Sequence, residues 1–103
     1  YVHVSDVAEA MLRARGAKGV FNVCTGRETE VLEIFNLVAH ASRATLQPLL
    51  APLREGELER SCMDPAHAQA ELGWRAKIEL EAGVPETYRA LVSQFSSFRD
   101  PSP

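Results

Sequence analysis

The sequence predicts a small mixed α/β domain with about four helices and a few short strands. Three observations predict it. Two runs, Tyr1-Val2-His3-Val4 and Gly19-Val20-Phe21-Asn22-Val23-Cys24, are rich in strand formers. Three segments carry apolar residues at helical spacing, and a fourth is marked by its caps. The chain has 103 residues, 46% of them hydrophobic and 24% charged, which fits one globular domain with a modest core.

Residues 1–4 alternate and read as a short strand. Ser5 or Asp6 then caps a helix, with Asp6 and Glu9 in the spacing of a capping box. Val7, Ala8, Met11, Leu12 and Ala14 form its apolar face, and Gly16 ends it. Residues 19–24 read as the strongest strand and stop at the Thr25-Gly26 turn. A second helix is expected over about 29–44, with Val31, Ile34, Phe35, Val38 and Ala41 as its buried stripe. Residues 46–50 read as an edge strand, because Pro48 interrupts them.

Asp64-Pro65 opens a third helix, with a capping carboxylate and proline at the first helical position. That helix runs to Glu71 or Leu72 and stops at Gly73, and Trp74 packs back over its end. Leu80, Val84, Tyr88, Leu91, Val92 and Phe95 mark a last helix. It either begins at Val84, with Pro85 in its first turn, or kinks there. The domain is expected to span residues 1–95, followed by a polar, disordered tail over 96–103.

Between the second and third helices lies Pro52-Leu53-Arg54-Glu55-Gly56-Glu57-Leu58-Glu59-Arg60-Ser61. Arg54 carries a planar fork of donors suited to phosphate. Glu57 follows at turn spacing and suits sugar hydroxyls, and Gly56 permits a tight turn between them. The stretch reads as a grip for an anionic, hydroxyl-rich ligand. Its plain alternative is a solvated charged turn.

The formal charge of −3 and pI near 5.6 exclude a general nucleic-acid binder. No apolar run is long enough to cross a membrane, and a cytoplasmic location is expected. Cys24 and Cys62 are expected to be reduced and buried. His3, His40 and His67 show no metal-ligand spacing. Asn22 is expected to satisfy turn backbone. A start at Tyr1, directly in a strand-like run, leads us to expect a piece of a larger protein.

Five stretches, in order, resemble the motifs of extended short-chain dehydrogenases/reductases of the NAD-dependent epimerase/dehydratase family. Tyr1-Val2-His3-Val4-Ser5-Asp6-Val7-Ala8 resembles Y-[IV]-x-V-x-D-[LV]-A. Gly19-Val20-Phe21-Asn22-Val23-Cys24-Thr25-Gly26 resembles G-x-x-[YF]-N-[IVL]-G-[TS]-G. Residues 52–61 resemble P-x-R-x-G-[ED]-x-x-x-[SY], and residues 64–74 resemble D-x-x-[KR]-A-x-x-[ED]-L-G-[WY]. Residues 80–83 resemble L-x-x-G. The style is closest to that of the nucleotide-sugar 4-epimerases.

The resemblance implies the C-terminal substrate-binding lobe of such an enzyme, lacking the Rossmann domain it normally folds onto. It implies that Arg54 holds the diphosphate of a UDP-sugar and Glu57 its ribose. It places Ser61 at the sugar pocket, where the family often has tyrosine. Tyr1 belongs to a motif whose preceding arginine makes a second diphosphate contact. Cys24 in place of glycine, Glu30 in place of a Ser or Thr cap, His67 in place of a basic residue, and Pro85 all depart from the family pattern.

The parent enzyme is expected to use NAD, with no cofactor held by this chain. Tyr1 and Tyr88 lack a lysine four residues on, and no glycine-rich dinucleotide fingerprint is present. The chain alone is therefore expected to be inactive. The alternative is a non-catalytic interaction module that forms a homodimer through faces the missing NAD domain would cover.

Overall fold

The computed structural model describes residues 1–45, 47–58 and 60–96. Four helices follow in chain order: α1 (Val4–Arg13), α2 (Val31–Ser42), α3 (Ala66–Leu72) and α4 (Leu80–Phe95). Among the described residues no strand forms, so the fold is helical and the expected strands are corrected. A strand is held by hydrogen bonds to a neighbouring strand, and none lies alongside here. Residues 19–24 keep their alternation nonetheless. Phe21 and Val23 face the core, while Val20 and Asn22 are exposed. In the expected edge strand Leu46 lies outside the described residues, and 47–50 are irregular with Leu49 98% exposed. Residues 97–103, most of the expected tail, also lie outside the described residues.

Helix α1 starts earlier than its capping signals predict. Val4 is its first residue, and His3 caps it by accepting the Ser5 amide on Nδ1 at 3.0 Å. Asp6 therefore falls inside the first turn, where a carboxylate suits the helix dipole. The Asp6–Glu9 capping box does not form. Glu9 pairs instead with Arg13 at 3.1 Å and Lys77 at 3.2 Å. The buried face is Asp6 and Ala10, whereas Met11 and Leu12 of the expected apolar face are exposed.

Helix α2 begins at Val31 and ends at Ser42, inside the expected 29–44, with Glu30 as its cap. Of its expected stripe, Ile34, Phe35 and Ala41 are half-buried, and Val31 and Val38 are exposed. Helix α2 lies along α4. Helix α3 is set as its signals predict, one residue later. Asp64 Oδ1 accepts the Ala66 amide at 2.9 Å, and Pro65 takes the cap position. Gly73 ends the helix at φ 63°, a left-handed conformation that glycine adopts without strain.

Trp74 packs back over that end and forms the centre of the core. It is 1% exposed and clusters with Ala10 and Ala68; Val2, Phe21, Val23, Leu72 and Ala76 pack around them. Burying an indole of roughly 150–250 Å² contributes roughly 4–6 kcal/mol before entropy is subtracted. Its Nε1 donates to the Asp6 carbonyl at 2.8 Å. The buried Asp6 carboxylate accepts the Lys77 amide at 3.1 Å and the Ile78 amide at 3.0 Å, both on Oδ2. One residue of α1 thus fixes the α3–α4 connection at three points.

Helix α4 begins at Leu80 with Glu79 as cap, so Pro85 lies inside it and not in a first turn starting at Val84. Gly83 is buried against His3, where an added Cβ would meet the imidazole at 3.0 Å and Ile78 at 3.1 Å. The glycine is required by this close approach. Both cysteines are free: Cys24 is buried as expected, but Cys62 is exposed because its segment is irregular and lies outside the core. Among the described residues no helix is long and apolar enough to cross a membrane.

Candidate functional site

The charged loop folds as a tight turn at its centre. The Glu57 amide donates to the Arg54 carbonyl at 3.1 Å, and Gly56 supports the turn at φ 86°. Glu57 closes it a second time, because its Oε2 accepts the Arg54 amide at 2.9 Å. The structure therefore brings Arg54 and Glu57 together, as their spacing predicts. The Arg54 side chain is 89% exposed, with Nε 4.0 Å from Glu57 Oε1. Ser61 is exposed further along the same stretch.

Tyr1 stands elsewhere. It lines an apolar groove of about 290 Å³ between the N-terminal residues, α2 and α4. Ile34, Val38, Val84, Tyr88 and Leu91 supply much of its wall, with His3, Thr25, Glu79 and Thr87 as its polar groups. Arg54, Glu57 and Ser61 are not part of that wall. The four expected site residues thus divide between a surface loop and a separate groove.

Sequence reasoning missed a charge cluster beside the groove. Arg27 follows the Thr25-Gly26 turn and reaches the first turns of two helices. Its guanidinium forks onto Glu81 of α4 at 3.0 and 3.2 Å, and touches Glu33 of α2 at 3.3 Å. Glu79 lies 3.8 Å away. The legible signal was an acidic residue in the first turn of each helix, a position that attracts a cation as well as serving the dipole.

Glu81 holds Arg27 more firmly protonated than usual, and Arg27 keeps Glu81 below the ordinary carboxylate range. A depressed carboxylate stabilises the fold above its unfolded value, and that contribution is lost as pH falls through the lower folded value. Substituting Arg27→Gln is therefore expected to move the Glu81 titration upward, leaving the lowering by its own backbone amide, as read by carboxyl carbon NMR between pH 2 and 6. Glu28 provides the internal control. It too is held low, but by Arg60, and its titration is expected to stay unchanged.

These pairings decide which arginine near the loop is free for an anion. Arg27 is surrounded by three carboxylates, a net negative patch that repels phosphate. Arg60 is forked onto Glu28 at 2.6 and 2.8 Å. Arg54 has no side-chain partner nearer than 4.0 Å among the described residues.

No family model matches the chain. UDP-glucose 4-epimerase of Mycolicibacterium smegmatis is 40% identical over 90 residues, covering 84% of this chain and 29% of that protein. The chain is homologous to UDP-glucose 4-epimerases. A putative UDP-glucose 4-epimerase of Methanocaldococcus jannaschii is 36% identical over 85 residues, covering 82% of this chain and 28% of the relative. The UDP-glucose 4-epimerase of Bifidobacterium longum, solved with NAD+ and UDP, superposes with a TM-score of 0.79 at 23% identity. That match covers 90% of this chain and 29% of the other. RMD from Pseudomonas aeruginosa, solved with NADPH, gives 0.78 at 26% identity over 90% of this chain and 32% of the other.

This epimerase-like chain therefore spans under a third of the relatives it matches, and the match is to their C-terminal part. The helical arrangement is one found within epimerase folds.

Proposed function

We propose that this chain is the substrate-gripping lobe of a nucleotide-sugar epimerase or dehydratase, formed by residues 1–95. Arg54 binds the diphosphate of a UDP-sugar, and Glu57 both shapes the Arg54 turn and accepts from the ribose. Ser61 faces the sugar, and Tyr1 borders the ligand from the groove side. The observation that carries this reading is the exposed Arg54 guanidinium, presented on a doubly closed turn in a chain homologous to epimerases.

The parent reaction is reversible oxidation of a sugar hydroxyl, with NAD supplying the hydride acceptor. The residues of this chain do not fit the dinucleotide, since it has neither a glycine-rich fingerprint nor a tyrosine–lysine pair. No hydride step is therefore assigned to it, and its contribution is binding and orientation of substrate.

Calorimetric titration of UDP tests the proposal. A charge-assisted fork onto phosphate contributes about 1.5–3 kcal/mol, so Arg54→Ala is expected to weaken binding roughly 10- to 150-fold. Arg54→Lys restores charge without the fork and falls between. Equal UDP affinity in wild type and Arg54→Ala would remove Arg54 from the site. Added UDP-galactose and NAD are expected to give no turnover.

A second reading is favoured by the apolar groove and by the exposed Val20, Val31, Leu49 and Leu50. Such faces suit a homodimer or the covering domain of a longer enzyme. Light scattering that shows a dimer without UDP affinity selects the interaction module.

A further inference from the structure

We propose that Glu28 and Arg60 are positioning residues for the Arg54 turn, joined in a strap that fixes the far end of the charged loop. The inference rests on the nucleotide-binding reading above and deepens it. Arg60 Nε donates to Glu28 Oε1 at 2.6 Å, and its terminal NH2 donates to Glu28 Oε2 at 2.8 Å. The two residues are 32 positions apart, so the pair joins the loop to the turn that follows Cys24.

The same turn is gripped at two further points. The Cys62 thiol donates to the Gly26 carbonyl at 3.3 Å. Pro65 lies so close to Gly26 that a Cβ there would stand 3.2 Å from its ring. The segment between Arg60 and Pro65 is thus laid along residues 26–28, and Pro65 is buried at the start of α3.

An isolated exposed ion pair contributes little, but a bidentate arginine–carboxylate pair is the favourable exception. Its chief effect here is geometric. Arg54 sits on a loop whose described residues, 52–58 and 60–61, belong to no helix and are all exposed. A guanidinium on such a loop binds phosphate only after its backbone has been ordered, and ordering beforehand lowers that cost. The internal bonds between Arg54 and Glu57 shape the turn, whereas the strap and the Cys62 contact fix where it stands. Neither Glu28 nor Arg60 needs to touch the ligand.

The charge-swapped pair separates positioning from direct contact. Glu28→Ala and Arg60→Ala are each expected to raise the UDP Kd about 3- to 10-fold, the effect of a loop that must be ordered on binding. Glu28→Arg with Arg60→Glu is expected to return the Kd to within about twofold of wild type, because the strap reforms with its charges exchanged. If the swap binds as weakly as Arg60→Ala, Arg60 acts on the anion itself and the proposal is overturned.

Amide hydrogen exchange at Arg54 and Glu57, measured without nucleotide, gives an independent readout. Both single variants are expected to accelerate it several-fold, and the swap to slow it again. Unchanged exchange in the single variants would also overturn the strap. If no form binds UDP while exchange follows this pattern, the nucleotide reading fails and the strap stands.

Discussion

Asp6→Ala is expected to lower the unfolding free energy by about 3–5 kcal/mol, a large share of the roughly 5–15 kcal/mol that holds a domain of this size together. The carboxylate accepts the amides of Lys77 and Ile78 from one oxygen inside the fold. Alanine leaves both amides without an acceptor, and each part-buried donor costs about 1–3 kcal/mol. Asp6→Asn isolates the cause. Its amide oxygen still accepts, so it is expected to lose well under half as much. Urea denaturation followed by circular dichroism reads the difference, and an Asp6→Ala midpoint close to wild type would show that the connection is held elsewhere.

Trp74→Ala is expected to cost a similar 3–5 kcal/mol by a different route. The indole is 1% exposed and fills the space between α1 and α3, against Ala10 and Ala68. Neither alanine has atoms with which to refill the gap, so the cavity persists. Trp74→Phe retains most of the apolar contact and loses the bond to the Asp6 carbonyl, with an expected loss of about 1–2 kcal/mol. Trp74 reaches Asp6 through the main-chain carbonyl, which Asp6→Ala keeps, so coupling between the two passes through the shared core and not through this bond; the double variant is expected to be less destabilised than the sum of the singles. Additivity in the same urea experiment would mean that the two act separately.

Much of the helical architecture was legible in the sequence. Asp64, Pro65 and Gly73 bracket α3 to within a residue, because caps and left-handed ends are local chemistry. Trp74 was legible for the same reason. The strands were not, because strand-forming composition in residues 19–24 shows what the backbone favours and not whether a neighbour is present to pair with it. Asp6 was misread because its spacing to Glu9 is local, while its real partners lie more than 70 positions away. Arg27 was invisible because its site is assembled from two helix starts and a turn. At the candidate site, the Arg54–Glu57 turn followed from spacing alone, whereas the strap from Arg60 to Glu28 required the fold.

The bonds from Asp6 to Trp74, Lys77 and Ile78 close across 68, 71 and 72 positions. Such distant closure delays folding during synthesis. At about 5–20 residues per second, α1 must wait on the order of 3–14 s after its own translation before its partners exist. During that interval the core lacks Ala68 and Trp74, and the nascent chain offers Val2 and Ala10 to chaperones or to its neighbours. Slowing translation between α2 and α3 is therefore expected to lower the yield of folded protein more than slowing it after Ile78.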